Sequence, residues 1–167
     1  MTDKIRAGTL RGIVMRAPGI TATRDFYLEQ WGLHLAHEED GITYLRGTGP
    51  EPFIYGLKDD VTYGIEYIHF GMKDRAEMDA LYAQITAEGE TALGAPAVFD
   101  DAIGGYGFEM LDPDNRRLRF TTDLEGREGE TTHAQPRKVS HVVLNTPDMD
   151  GVEVWYQNVL GFRTSDY

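Results

Sequence analysis

A segment near the end of this chain repeats a segment near its start without a gap. The earlier copy, residues 10–33, reads LRGIVMRAPGITATRDFYLEQWGL, and the later copy, residues 139–162, reads VSHVVLNTPDMDGVEVWYQNVLGF. Between them, residues 65–85 overlay the first copy at an offset of 55 residues, which places Tyr67 on Gly12. Such internal repeats predict a fold assembled from copies of one supersecondary module.

Each copy has the pattern of a strand followed by a helix. Apolar residues recur at the i, i+3, i+4, i+7 spacing of an amphipathic helix, namely Met78, Leu81, Tyr82 and Ile85, then Val152, Trp155, Tyr156 and Val159. Asp74 and Glu77 have the spacing of a capping box. Glycines that favour a left-handed helix C-terminus follow the three helices at Gly32, Gly89 and Gly161. We therefore expect the helices to pack on a sheet, with the aromatic residues Tyr27, Trp31, Tyr82, Trp155 and Tyr156 in the core.

Three strands are predicted after each of the first two helices. In the first module, residues 33–47 form a hairpin about the turn Glu39-Asp40-Gly41, and residues 51–57 form the third strand. In the second, residues 90–100, 106–111 and 116–123 are the strands, and DPDN at residues 112–115 is a turn. Gly104, Gly105 and Gly107 lie between strands and predict a bulge or tight turn rather than a phosphate-binding loop.

The fold class is accordingly α+β, with paired βαβββ modules forming a half-open β-cup and the start of a third module after them. We place the first domain at residues 1–122, with modules at 8–57 and 65–122. The polar, glycine-bearing stretch at 123–137 is interpreted as a linker. Residues 138–167 then begin a second domain with a strand and a helix.

Composition removes several classes of function. The chain has no cysteine, so His, Asp, Glu and Tyr are its candidate metal ligands. With 28 acidic against 16 basic residues and a net charge of -12, nucleic acid is excluded as a partner. No apolar run is long enough for a membrane span, and the N-terminus MTDKIRAGTL lacks a signal-peptide core, so we expect a cytoplasmic protein.

Taken together, the paired modules, the DPDN turn and the linker into SHVVLNTPD resemble the vicinal oxygen chelate superfamily of glyoxalases, bleomycin-resistance proteins and extradiol dioxygenases. The arrangement is most similar to the N-terminal part of a two-domain type I extradiol dioxygenase. The resemblance implies metal ligands on the first strand of each module and on the last strand. In the first cup these positions are Gly12, Tyr67 and Arg119. Glycine has no side chain, the tyrosine phenol must first ionise and arginine is a cation, so these three residues cannot hold a divalent ion. We therefore expect a metal-free first domain, as the resemblance also implies.

In the third module the first-strand position is His141. The resemblance implies that His141 is one ligand of a two-histidine, one-carboxylate site for Fe(II), with Mn(II) as the alternative metal. Strand alternation places His141, Val143 and Asn145 on one face, which we expect to be the interior of a second cup. The other two ligands would belong to a fourth module outside these 167 residues. Because one imidazole cannot retain the metal, we expect this chain alone to bind no catalytic metal and to be inactive.

The intact protein is predicted to cleave a catechol-type aromatic diol with O2, and to form a homo-oligomer without nucleic-acid or membrane partners. The sequence assigns no substrate-binding residue. The main alternative is a metal-free module that binds a small molecule, like the bleomycin-resistance proteins. The third alternative, a glyoxalase or epimerase, is less well supported, because we expect such activities to need metal ligands at Gly12, Tyr67 or Arg119.

Each histidine also has a structural interpretation that involves no metal. His141 itself could be a half-buried strand residue. A site formed by Tyr67, His69 and His141 is conceivable, but His69 is better explained as a packing or hydrogen-bonding residue. We interpret His34, His37 and His133 as surface residues.

Overall fold

The computed structural model describes residues 4–129 and 134–165, so His133 lies outside the described residues. The first module comprises β1 (Thr9–Ala17), α1 (Thr21–Glu29), β2 (His34–Glu39), β3 (Ile42–Arg46) and β4 (Tyr55–Asp59). The second comprises β5 (Gly64–Gly71), α2 (Arg75–Ala87), β6 (Ala97–Val98), β7 (Tyr106–Leu111) and β8 (Arg117–Thr122). The third repeat supplies α3 (Met149–Leu160).

All eight strands belong to one open sheet in the order β2-β3-β4-β1-β5-β8-β7-β6. Each first strand pairs in parallel with the last strand of its own module, and β1 and β5 join the modules antiparallel. The two halves of the sheet therefore have the same strand order, reflected about the β1–β5 junction. This arrangement confirms the predicted α+β fold with paired βαβββ modules.

Local sequence signals account for most turns and helix ends. Asp40 and Gly41 both have positive φ, 50° and 75°, as a two-residue hairpin turn between β2 and β3 requires. The side chain of Asp74 accepts a 2.9 Å hydrogen bond from the amide of Glu77 and caps α2. Gly161, with φ of 69°, is the left-handed C-cap of α3.

Two predicted strands are wrong in extent. Residues 90–100 contribute only Ala97–Val98 and one isolated bridge from Ala92 to Met110, because Gly94 and Pro96 interrupt the pattern and proline cannot donate to a ladder. Residues 139–145 form no strand, although side chains alternate along them. A strand needs a neighbour for its backbone groups, and no strand of the described residues pairs with this segment.

The two faces of the sheet carry separate cores. The helices α2 and α3 cover the outer face, where the main hydrophobic cluster takes up equivalent residues of all three repeats. Ile13, Ile68 and Val142 belong to this cluster, as do Met15, Phe70 and Leu144. Because each set falls at one position of the repeat, the alignment at offsets of 55 and 129 residues is also the alignment in space. The predicted burial of the aromatic helix residues fails at Trp31, which is 52% exposed.

Helix α3 is joined to the first two modules by specific hydrogen bonds. Gln84 of α2 exchanges two hydrogen bonds with the backbone of Ile5 and donates a third, 3.1 Å long, to the carbonyl of Val159. The amide of Ala7 donates to the carbonyl of Leu160 at 2.8 Å. The N-terminal segment, α2 and α3 therefore form one packed layer. No helix in the described part of the chain is long and apolar enough to cross a membrane.

Candidate functional site

The inner face of the sheet, which we call the first cup, brings together the three positions at which the resemblance implies metal ligands. In the antiparallel β1–β5 pair, Gly12 lies opposite His69 and Val14 lies opposite Tyr67. The parallel β5–β8 pair then sets Arg119 beside His69. Gly12, Tyr67, His69 and Arg119 therefore share one floor, as the repeat alignment predicts for three of them.

Aromatic rings fill the centre of the first cup. The ring of Phe53, from the β3–β4 connection, is fully buried and stacks on His69 with a centroid distance of 5.4 Å and an interplanar angle of 6°. A Cβ atom on Gly12 would lie 2.9 Å from Cε2 of Phe53. The close packing of Phe53 therefore requires glycine at position 12. The Phe53 ring occupies the space that a ligand side chain at this position would need.

Tyr67 is unsuited to metal binding in its observed surroundings. It is 4% exposed, and its hydroxyl donates a 3.4 Å hydrogen bond to the hydroxyl of Tyr44. Burial, and then the neighbouring Tyr44, raise the pKa of Tyr67 well above that of a free phenol. The phenol therefore stays protonated near neutral pH, whereas a ligand would have to ionise.

Arg119 places a buried cation at the last-strand position. Its Nη2 lies 2.6 Å from Oδ2 of Asp101, and its guanidinium lies 3.9 Å from the centroid of Phe99. Both partners come from residues 99–105, which we call the rim loop. Gly104 and Gly105 in this loop have positive φ, 62° and 83°, which fits the predicted tight turn, whereas Gly107 lies within β7 and not between strands. A guanidinium repels a metal ion, so the donor set of the first cup does not fit one.

His69 is the residue of the cup that the sequence left least defined. It is fully buried, and its Nε2 lies 2.5 Å from Oγ1 of Thr121. Its Nδ1 is buried with no hydrogen-bond partner among the described residues. Burial, then the charges of Arg119 and Arg11, lower the pKa of His69 well below its usual value, so the ring is neutral. The structure supports the packing and hydrogen-bonding interpretation of this residue.

His141 lies on the third-repeat segment, residues 139–145, and its side chain is exposed to solvent. Its neighbours Val142 and Leu144 pack into the main core, so the predicted alternation is present. The face that carries His141 is open rather than enclosed by a second cup. Oγ of Ser140 lies 2.9 Å from Nδ1 of His141, which leaves Nε2 available to another partner. Within residues 4–129 and 134–165, no group of three or more His, Asp or Glu side chains could hold a metal ion.

The remaining histidines do not join these sites. His37 is exposed and His34 is half-buried on β2, at the far edge of the sheet from β5. Two apolar cavities of about 280 and 300 Å³ lie instead beside the third-repeat segment, and Val142, Leu144, Tyr156 and Phe162 line both. The first also borders Leu10, Ile68 and Phe70 of the sheet, and the second borders α3. They contain no charged group that could direct chemistry apart from Glu153 and Arg163 at one edge.

The fold and its repeats resemble those of the vicinal oxygen chelate superfamily, and solved structures of a glyoxalase and of extradiol dioxygenases match this chain. The Mn(II)-bound glyoxalase from Novosphingobium aromaticivorans is 27% identical with a TM-score of 0.89, over 97% of this chain and 55% of that one. Homoprotocatechuate 2,3-dioxygenase from Arthrobacter globiformis is 21% identical with a TM-score of 0.79, over 96% of this chain and 51% of that one. The 2,3-dioxygenase LapB from Pseudomonas sp. KL28 is also 21% identical with a TM-score of 0.79, over 96% and 60%.

These matches confirm the resemblance to the superfamily and, for the dioxygenases, the shared fold. The chain spans 51% to 60% of the length of these solved structures. No protein-family model and no curated protein sequence matches the chain.

Proposed function

We propose that this chain is the front part of a metal-dependent enzyme, and that the intact enzyme is an extradiol dioxygenase. It would cleave a catechol-type aromatic diol with O2 at a non-haem Fe(II) site. The observation that carries the proposal is the register of His141, which stands in the third repeat where Gly12 and Tyr67 stand in the first two.

The packing of the third-repeat segment supports that register. Val142 belongs to the same cluster as Ile13 and Ile68, so the residue before it in each copy faces the opposite side. In the first two copies that side is the interior of a cup. His141 would face the interior of a second cup once further strands enclosed it.

One ligand is available in this chain, and the others are proposed to come from a following module. An imidazole whose Nδ1 is hydrogen-bonded presents Nε2 to a metal in a fixed orientation, which is the role that Ser140 fits. Iron bound at two histidines and a carboxylate would leave positions for a diol and for O2. We expect residues 4–165 alone to hold no tightly bound iron or manganese and to be inactive.

Glyoxalase activity is the second candidate, because the glyoxalase structure has the higher identity and TM-score. A glyoxalase with its metal in the first cup would need ligands at Gly12, Tyr67 or Arg119, and these residues do not fit a metal ion. This chain covers only 55% of the glyoxalase, so the metal of such an enzyme need not lie in the matched part. Both candidates retain His141 as a ligand and differ in the reaction and the metal.

The test uses the protein encoded by the reading frame that contains this chain, extended beyond Tyr167. Anaerobic loading with Fe(II) or Mn(II), followed by metal analysis, measures the metal bound per chain. Oxygen uptake with catechol measures ring cleavage, and a separate assay measures glyoxalase activity. We expect one metal per chain and catechol-dependent oxygen uptake.

The matched variants are His141→Ala and His37→Ala, which remove exposed histidines from the proposed site and from β2. His141→Ala is expected to lower metal affinity and activity by more than the roughly 10–100-fold that the loss of a residue supporting a ligand costs. His37→Ala should change neither. Full activity in His141→Ala would refute the assignment, and glyoxalase activity without oxygen uptake would favour the second candidate. A metal-free protein that binds a small molecule would instead support the bleomycin-resistance-like alternative.

A further inference from the structure

We propose that the first cup is a binding site for a small carboxylate, held by Arg119 and His69 in the place that Asp101 now occupies. This inference goes beyond the proposed function, which assigns no ligand to the first domain. It concerns residues of β5, β8 and the rim loop, all of which are present in this chain.

The floor of the cup is positively charged although the whole chain is strongly acidic. The Arg119 side chain is 5% exposed, and Arg11 lies close enough to His69 to disfavour a charge on its ring. A buried guanidinium is costly without an anion beside it. Arg11 has Glu51 at 3.5 Å, whereas Arg119 has Asp101 from the rim loop.

Three buried nitrogen atoms of Arg119 and His69 lack a hydrogen-bond partner among the described residues, namely Nε and Nη2 of Arg119 and Nδ1 of His69. Nη2 lies close to Asp101 as an ion pair but does not form a hydrogen bond with it. The hydroxyl of Thr121 can donate to Nε2 of His69, and the neutral ring then carries its proton on Nδ1. A carboxylate accepts at both oxygens, so one ligand between the two neighbouring side chains can satisfy both.

Asp101 has the features of an internal substitute for such a ligand. Its Oδ2 contacts Arg119, but its Oδ1 accepts hydrogen bonds from the amides of Ile103 and Gly104 in its own loop, at 3.1 and 2.9 Å. The side chain is 29% exposed, so it reaches the cation from the rim of the cup. Displacement by a free carboxylate would exchange one ion pair for another, which conserves the buried charge.

The rim loop contacts the cup through Phe99, which covers the guanidinium of Arg119, and through Asp101. Besides Asp101, the amide of Ala102 donates a 2.5 Å hydrogen bond to Glu39, and Ile103 packs at the edge of the inner core. The two glycines that follow permit a change of backbone conformation at low cost. Movement of this loop would remove the Asp101 carboxylate and open the cup.

Because aromatic rings fill the centre of the cup, the body of a bound monocarboxylate would lie in the space that the rim loop vacates, and its surroundings there favour an apolar body. Phe53 stacks on His69, and Phe99 covers the guanidinium of Arg119, so the groups beside the anion site are aromatic. The net charge of -12 disfavours ligands that carry several negative charges. Benzoate is therefore the main probe, acetate is the minimal carboxylate, and benzamide is the uncharged control.

The experiment measures the unfolding temperature of the 167-residue chain against increasing probe concentration at constant ionic strength set with chloride. The variants are Asp101→Ala, which removes the internal carboxylate, and Asp100→Ala, a neighbouring exposed control. We expect benzoate and acetate, but not benzamide, to restore the stability of Asp101→Ala in a saturable manner. Wild type and Asp100→Ala should bind benzoate about tenfold more weakly, because Asp101 competes.

The double variant Asp101→Ala/Arg119→Met should lose the carboxylate response. If that variant does not fold, the ring resonances of His69 in Asp101→Ala supply the second measurement, and they should shift with benzoate. The proposal is overturned if chloride or benzamide acts like benzoate, if the His69 resonances do not respond, or if wild type shows no saturable binding of benzoate.

Discussion

The hydroxyl of Tyr156 in α3 donates a 2.9 Å hydrogen bond to Oδ2 of Asp112, at the turn between β7 and β8. Asp112 is 4% exposed and also accepts a 2.6 Å hydrogen bond from Nε of Arg116. Arg116 in turn donates to the carbonyl of Asn145 at 2.8 Å. The DPDN turn of the second module is thus the place where the third repeat is attached, by way of both its helix and its extended segment.

Tyr156→Phe should therefore loosen the third repeat. Burial and the adjacent Asp112 raise the pKa of Tyr156, so the phenol is a protonated donor throughout the neutral range. Removal of a hydrogen bond to a charged acceptor is expected to lower the free energy of unfolding by about 1.5–3 kcal/mol. Urea unfolding measures this loss, and hydrogen exchange should show faster opening of α3.

Tyr63→Phe is the matched control, because Tyr63 is 80% exposed and its substitution should stay within about 0.5 kcal/mol of wild type. Equal effects of the two substitutions would show that the Tyr156–Asp112 contact contributes nothing to the attachment.

Phe53→Ala should be among the most damaging substitutions in the inner core. The Phe53 ring is fully buried between Tyr44 and His69, and its removal leaves a cavity that neighbouring strands cannot close. We expect a loss of about 3–5 kcal/mol in urea unfolding. Phe26→Ala on α1, where the ring is 49% exposed, should cost only about 1 kcal/mol. A small effect at Phe53 would contradict the tightly filled cup.

The repeat predicts the fold because its signals are local. Asp74 caps α2 and Gly161 ends α3, and each acts within one turn of its own helix. The content of the first cup was not predictable in the same way. Phe53 and Asp101 come from connections between strands. The paths of these connections depend on tertiary contacts, which the periodicity of the sequence does not predict.

For His141 the sequence predicted the register and the alternating faces, but not the exposed surroundings. Alternation is an intrinsic property of an extended chain, so Val142 and Leu144 reach the core as expected. An enclosed face requires neighbouring strands, and the described residues provide none beside this segment. The metal-ligand assignment of His141 stays a prediction.

Gly12→Ala tests the close approach of β1 and Phe53. The added Cβ would lie 2.9 Å from the Phe53 ring and 3.2 Å from the carbonyl oxygen of Ile54, so the ring or the backbone must move. We expect a loss of about 1–3 kcal/mol from overpacking, measured by urea unfolding. Gly94→Ala, where no atom lies within 4 Å of the added Cβ, should be within about 0.5 kcal/mol of wild type. If Gly12→Ala leaves the free energy of unfolding unchanged, the cup has room for a side chain at the first-strand position.

His69 should make the protein acid-sensitive. Its pKa in the folded state is well below the usual value, so the folded protein keeps a neutral ring while the unfolded chain takes up a proton. The stability contributed by His69 is therefore complete above the unfolded pKa of about 6.5 and is lost as the pH falls below it. The slope from this one group approaches about 1.4 kcal/mol per pH unit.

Urea unfolding between pH 7.5 and pH 5 measures the slope, and His69→Gln should remove the part due to this ring. Carboxylates also contribute in acid, so the decisive quantity is the difference in slope between wild type and variant. Ile68→Val is the matched control, because it destabilises the same strand by about 1 kcal/mol while leaving His69 in place. Its slope should equal that of wild type, since a loss of packing alone binds no proton. If His69→Gln and wild type lose stability in parallel, the ring takes up a proton in the folded state as readily as in the unfolded chain, and the lowered pKa of His69 is wrong.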